Sequence, residues 1–311
     1  MLKRACKWLG SCMGYLFYTL VLLLLLLWVF FPKEPLRQLL VQYLNGAYPG
    51  LSWQVQSLSL PVSEGITVVG IKGYGAQDKN QPLVQTDSLV LWPHVAEMLR
   101  TRRPTAGYRL LLAQGVVTGI LQRDDGKAGL HIDGSIQGLQ LTECPLLALL
   151  FQRNLQGVVS ANFDGVIEPS LGKISGLEAK LRVDNGLLDL KRPILNHRSL
   201  PFSQISFTLH SNGATMQLEQ GVVESELFSG RFTGEIQLGR DPAKSRLDIK
   251  GTLQPRPAFY KGMNNTPVLE SIRTQLESRP LPFLLSGNLN NPGIHFEEFS
   301  LLFQSLEKEL Q

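Results

Sequence analysis

Five histidines, three cysteines and a few neighbouring carboxylates are the residues of this 311-residue chain from which a reaction centre could be built. His94, His131, His197, His210 and His295 never fall at HxxH or HExxH spacing, and none is near a cysteine, so no local zinc-type site is expected. Cys6 and Cys12 lie at the near edge of an apolar run and Cys144 stands alone in the body, which leaves neither a disulfide framework nor a CxxC ligand pair. Serine nucleophile elbows of the GxSxG type are absent. Gly172-Lys-Ile-Ser175-Gly176 misses that spacing by one residue. The carboxylates at Asp124-Asp125, Glu224/Glu226 and Glu297-Glu298 read as solvated charges of turns, an outward strand face or a helix start. An acid and base pair would need burial to separate its two pKa values. No GxxxxGK[ST] or strand-borne GxGxxG occurs, so no nucleotide or other cofactor is expected and the glycines belong to turns and strand bends. These residues predict no catalytic, cofactor or metal site.

Two further local features carry other chemistry. Arg100-Thr-Arg-Arg103-Pro104 concentrates positive charge; it reads as a helix C-terminus, where cations offset the helix dipole, or as a contact for lipid headgroups or an acidic partner. Asn264-Asn265-Thr266 is a glycosylation sequon, with meaning only in a eukaryotic secretory pathway.

Charge excludes one class of partner. Of 30 Lys and Arg residues, Lys3, Arg4 and Lys7 precede the apolar run and no acidic residue comes before Glu34, leaving 27 cations against 26 carboxylates for everything after it. A body so evenly balanced lacks the clustered basic face that neutralises a phosphate backbone, so nucleic acid is not an expected partner.

Met13 to Phe31 is 19 residues without a charge. As a helix it would span roughly 28 Å at about 1.5 Å per residue, the thickness of a bilayer's hydrocarbon core. Tyr15, Tyr18 and Trp28 lie towards its ends, and the basic residues before it put the N-terminus inside and the body outside. A cleaved signal peptide would have a shorter apolar stretch and a small-x-small site. This run ends in Trp28-Val29-Phe30-Phe31-Pro32, so a retained single-pass anchor is expected.

The elements after the anchor are legible from period. Glu34 to Tyr48 carries Leu36, Leu39, Leu40, Tyr43 and Leu44 at helical spacing and stops at Pro49-Gly50, predicting an amphipathic helix against the membrane surface or the first strands. From Leu51 to Pro255 the period is two. Phe232, Gly234, Ile236 and Leu238 share one face, as do Leu247, Ile249, Gly251 and Leu253. Val159, Ala161, Phe163 and Ile167 form an earlier inward set, followed by Leu177, Ala179, Leu181 and Val183, and by Ile205, Phe207 and Leu209. One dry face and one wet face per strand indicate an antiparallel sheet.

Hairpin turns are expected at Asp124-Asp125-Gly126-Lys127, Asp184-Asn185-Gly186, Ser211-Asn212-Gly213 and Gly239-Arg240-Asp241-Pro242. Gly70, Gly134, Gly165, Gly234 and Gly251, inside strands, suggest bends or bulges. Short helices are expected at Pro93 to Arg102, at Thr142 to Arg153 with Thr142 as N-cap, and from Thr266 or Pro267 to Ser278. Strands return from Leu281 to Phe296, and Phe299, Leu302, Phe303 and Leu306 mark a last amphipathic helix.

The expected layout is a cytoplasmic N-terminus over 1–12, a transmembrane helix over 13–31, a juxtamembrane helix over 32–50, a β-rich domain over 51–296 and a C-terminal helix over 297–311. A sheet of ten or more strands with one apolar face must curl, fold into a sandwich, borrow a helix or cover that face with something other than protein. The fold class expected is mainly β: an elongated, curved antiparallel sheet with a few short helices, oily on its concave side.

Leu227-Phe-Ser-Gly-Arg-Phe-Thr-Gly-Glu-Ile-Gln-Leu238 and Ser245-Arg-Leu-Asp-Ile-Lys-Gly251-Thr-Leu-Gln-Pro255, with the closing G-x-L-x-x-P of Gly287 to Pro292 in Leu281-Pro-Phe-Leu-Leu-Ser-Gly287-Asn-Leu-Asn-Asn-Pro292, carry a resemblance. In these words and in its layout the chain resembles GspN, the type II secretion system protein N, in the variant similar to AsmA-like proteins. The resemblance implies a bacterial inner-membrane protein with a periplasmic body, non-enzymatic, whose partners are other secretion-system components. AsmA-like relatives are associated with lipid movement between membranes, which implies membrane lipid on the apolar face. It implies no catalytic residue.

Overall fold

A computed structural model describes residues 14–19, 21–23, 25–26, 32–48, 50–61, 65–75, 80–123, 129–168, 173–194, 197–239, 241–260, 270, 273–274 and 280–296. Its strands are β1 (Leu51–Ser59), β2 (Ile66–Gly75), β3 (Pro82–Pro93), β4 (Thr105–Leu112), β5 (Gly115–Arg123), β6 (Leu130–Gln140) and β7 (Leu155–Glu168). They continue as β8 (Lys173–Ile194), β9 (His197–Asn212), β10 (Thr215–Glu224), β11 (Phe228–Gln237), β12 (Arg246–Pro255), β13 (Leu281–Asn288) and β14 (Asn291–His295). All fourteen form one open antiparallel sheet whose spatial order is the chain order, as expected when each strand returns beside the last. The protein is mainly β.

Helix α1 (Lys33–Ala47) packs Leu36, Leu40, Val41 and Leu44 over Val55, Leu58, Val68 and Ile71 of β1 and β2. Leu39 and Tyr43, placed on that stripe by spacing, instead stand exposed, and Val41 takes part in their place. The docked arc is centred between Leu40 and Leu44, which turns Leu39 and Tyr43 onto the helix flank. The same helix closes the first edge of the sheet. Arg37 Nη1 donates to the Val55 carbonyl at 3.1 Å, and Asn45 Oδ1 accepts from the Trp53 amide at 3.0 Å, so two outward-facing backbone groups of β1 are satisfied.

The other described helices are short. α2 (Val95–Thr101) begins after Pro93, which ends β3, and its C-cap Arg102 is left-handed. α3 (Pro145–Phe151) reaches back to β3. Its N-cap position is Cys144, not Thr142, because Leu141–Glu143 is already a separate 3-10 turn, and no side chain caps it. Of the helix expected to end at Ser278, only residues 270, 273 and 274 are described, and they are helical. The expected segments 1–12 and 297–311, the Asp124 turn and the sequon lie outside the described residues.

Between 14 and 26 the described residues are helical and expose apolar side chains, among them Tyr15, Phe17, Leu23 and Leu25. Among the described residues no helix is long and apolar enough to cross a membrane.

One expected hairpin is absent. Asp184, Asn185 and Gly186 lie inside β8, where Asn185 takes φ 50° as part of an irregularity against β7. Asn tolerates the left-handed region, and Gly186 lacks the Cβ that would collide with the Phe202 ring, so the two residues kink a continuous strand rather than reverse it. The Ser211-Asn212-Gly213 turn does join β9 to β10, with Gly213 at φ 69°. Leu238 lies beyond the end of β11 and is exposed.

Where strand ends meet, buried serines lock the connections. Ser225, 1% exposed, donates its hydroxyl to the Pro201 carbonyl at 2.6 Å and accepts from the Leu227 amide at 3.1 Å, joining β9 to the β10–β11 turn. Replacing it with alanine strands two backbone groups. Ser225→Ala is therefore expected to cost about 1–3 kcal/mol, read as a lower urea midpoint with an unchanged slope.

Candidate functional site

The feature that distinguishes this sheet is the continuity of its apolar face. Directly opposed residues of antiparallel strands share a face, so the register can be read as rows running across the sheet. One row passes from Ile66 through Leu91, Tyr108, Gly119, Gly134 and Phe163 to Ala179. It goes on through Leu209, Leu218, Gly234, Ile249 and Leu285 to Ile294. From β2 to β14 no position in it is polar except the Tyr108 hydroxyl. The next row, from Leu58 and Val68 through Leu110 and Ile136 to Leu181 and Phe207, is also apolar throughout.

Local bulges keep these rows in phase. Leu218 and Val223 both point to the apolar face although they are five residues apart; the register shift around Gln220, at φ 53°, restores the face that strict alternation would have lost. Gly138, at φ 70°, lies in a shift between Ile136 and Leu139. Thr86, a polar residue on this face, is buried and donates its hydroxyl to the Ile71 carbonyl at 3.3 Å.

Among the described elements, α1 lies over β1 and β2, while α3 reaches β3 and the 3-10 turn Pro242–Lys244 that joins β11 to β12. Leu218, Leu247 and Ile249 are buried by same-face neighbours, including Phe207, Phe232, Ile236 and Leu285. The rings of Phe207 and Phe232 approach to 6.1 Å between centroids across the intervening β10. Such a surface offers no nucleophile or acid. It can hold hydrocarbon.

Tyr108 is a titratable group built into the face. Its ring crosses Gly119 and Gly134 towards Phe163, because added Cβ atoms at either glycine would meet the phenol oxygen, and Oη donates to the Asp133 carbonyl at 3.4 Å. Burial first, and the charge of Asp133 second, push the phenol up to about 12. The neutral phenol is the form the fold favours. Its stabilisation is complete below pH about 10, the unfolded value, and is lost as pH rises towards the folded value. A Tyr108→Phe chain is expected to lose a phenolate absorbance step near pH 12.

The opposite face carries the charges. Asp133, Asp164, Glu178 and His210 oppose one another on β6 to β9, and His131 Nε2 lies 3.0 Å from Asp164 Oδ2. Asp133, Asp164 and Glu178 border an open cleft of about 680 Å³ that also touches Trp92, His94, Arg109 and Ile120. His210 faces Glu219 at 3.9 Å and His295 is exposed at the end of β14. His94 follows β3, far along the sheet from His295. Among the described residues no three His, Cys, Asp or Glu side chains gather as a metal site. Glu224 is no free carboxylate; it pairs with Arg256, whereas Glu226 is exposed. Cys144 is half-buried, and burial raises its thiol pKa, with Glu143 adding to the effect. In the basic cluster, Arg100 pairs with Glu97 at the end of α2 and belongs to that helix.

The aromatic and glycine pairing of Tyr108 with Gly119 and Gly134 is not visible from period alone. Its signal is a glycine opposite an aromatic in hairpin register, as at Gly107 beneath Trp92 and Gly251 beside Phe283.

The fold and its site define a single-sheet protein with one continuous apolar face. No protein-family model, curated protein or solved structure matches the chain.

Proposed function

We propose that the chain is a non-enzymatic component of a bacterial type II secretion apparatus, held in the inner membrane by residues 13–31, with a cytoplasmic N-terminus and the sheet in the periplasm. One observation carries the reading. The three stretches that resemble GspN are consecutive paired strands, β11, β12 and β13–β14, and they end the sheet. β14 has one strand neighbour among the described residues, so the family's words lie at an open edge suited to strand addition by another component. Pro292 and the shortness of β14 restrain indiscriminate pairing there. Deleting the gene is expected to stop export of type II cargo and leave other secretion intact. Unchanged export would remove the proposal.

A second reading is favoured by the apolar rows themselves: a lipid carrier of AsmA-like kind, with acyl chains lying along the face between β8 and β14. Native mass spectrometry of gently extracted protein separates the two. A stoichiometric phospholipid supports the carrier, and a lipid-free chain with intact export supports the scaffold.

A further inference from the structure

We infer that the exposed flank of α1 rests on the bilayer surface, so that one helix is sandwiched between the sheet and the membrane and fixes β1 beside the lipid. The inference rests on reading residues 13–31 as an anchor. On α1, Pro35, Leu39, Tyr43 and Ala47 recur at every fourth residue, hence along one inclined ridge of the helix, and all four are exposed. Leu39 is 59% and Tyr43 61% exposed. None is charged, while Glu34, Arg37, Gln38, Gln42 and Asn45 occupy the remaining arc.

The occupant follows from where the helix begins. A single residue, Pro32, separates the uncharged run from Lys33, so α1 starts at the level where that run would leave the hydrocarbon. Pro32 has φ −77° and ψ 72°, outside helical values, so α1 begins at a break in helical backbone. A helix that starts afresh at that depth, with an uncharged flank and a tyrosine on it, has the form of an interfacial helix. Its other apolar side is already filled by β1 and β2, and the Arg37 and Asn45 hydrogen bonds fix its rotation, so the flank is presented in one orientation.

The test uses the full chain with Cys6, Cys12 and Cys144 replaced by serine, in vesicles of phosphatidylethanolamine with a minority of phosphatidylglycerol. An environment-sensitive fluorophore is attached at Tyr43→Cys or Leu39→Cys, and for comparison at Gln42→Cys. Lipids bearing a nitroxide near the headgroup are expected to quench the probes at 43 and 39 several-fold more than the probe at 42. Flotation of the same vesicles reports on the anchor. Protein that floats with equal or no quenching at the three positions overturns the docking of α1 alone. Protein that does not float overturns the anchor, and this inference with it. Two independent flank positions keep the test decisive if one variant fails to fold.

Discussion

A Gly119→Val chain is expected to melt roughly 6–12 °C below the parent, the shift for an overpacking cost of about 3 kcal/mol in a domain of this size. Gly119 sits in the long apolar row, between Tyr108 and Gly134. A Cβ there would collide with the Asp133 carbonyl and come within 2.6 Å of the Tyr108 oxygen. The first obstacle is backbone of a paired strand and cannot rotate away, so trimming Tyr108 relieves only half of the conflict. A Tyr108→Ala, Gly119→Val double variant should therefore remain well below the parent. Gly46, in α1, provides the contrast: nothing lies within 4 Å of its missing Cβ, and alanine there should raise stability by up to about 1 kcal/mol through helix propensity. Equal melting of the Gly119→Val chain and the parent would show that the cross-strand aromatic packing is not as close as described.

Alternation was enough to place most of the sheet. Leu247, Ile249, Gly251 and Leu253 alternate without a break, and β12 uses that face along its whole length. Phase breaks were harder to read. Leu218 and Val223 belong to one face only because an extra residue near Gln220 shifts the register, and a strict period of two puts them on opposite sides. Asn185-Gly186 carries the composition of a hairpin turn, yet the same tolerance of positive φ serves a kink inside a long strand, and only the partner strand's register tells them apart. In α1 the stripe was legible as a helix, but which half meets the sheet depends on tertiary contact. Leu39 and Tyr43 lost that competition to Val41. The candidate site was half legible: inward sets on separate strands were readable, whereas their union into unbroken rows requires every pairwise register at once.

The register also shows why one substitution at the start of the sheet should act far beyond its own contacts. Val68, 3% exposed, lies opposite Leu58 and beneath α1, in a cluster with Val55 and Ile71. Val68→Asp places a carboxylate there with no partner, and burying such a group costs several kcal/mol unless the surroundings open to water. The cheapest opening is the departure of α1, which is held by this apolar contact and by the Arg37 and Asn45 hydrogen bonds to β1. With the helix gone, the Trp53 amide and Val55 carbonyl become free edge groups of a long strand, a template for pairing with a second chain. Hydrogen exchange in the variant is expected to rise over residues 33–75 while β7 to β9 stay protected, and detergent-solubilised protein should elute as larger species. The protected centre identifies this as a local opening rather than global unfolding. Retained protection over α1 and β1 would show that the helix is held in place by something other than its seat on Val68.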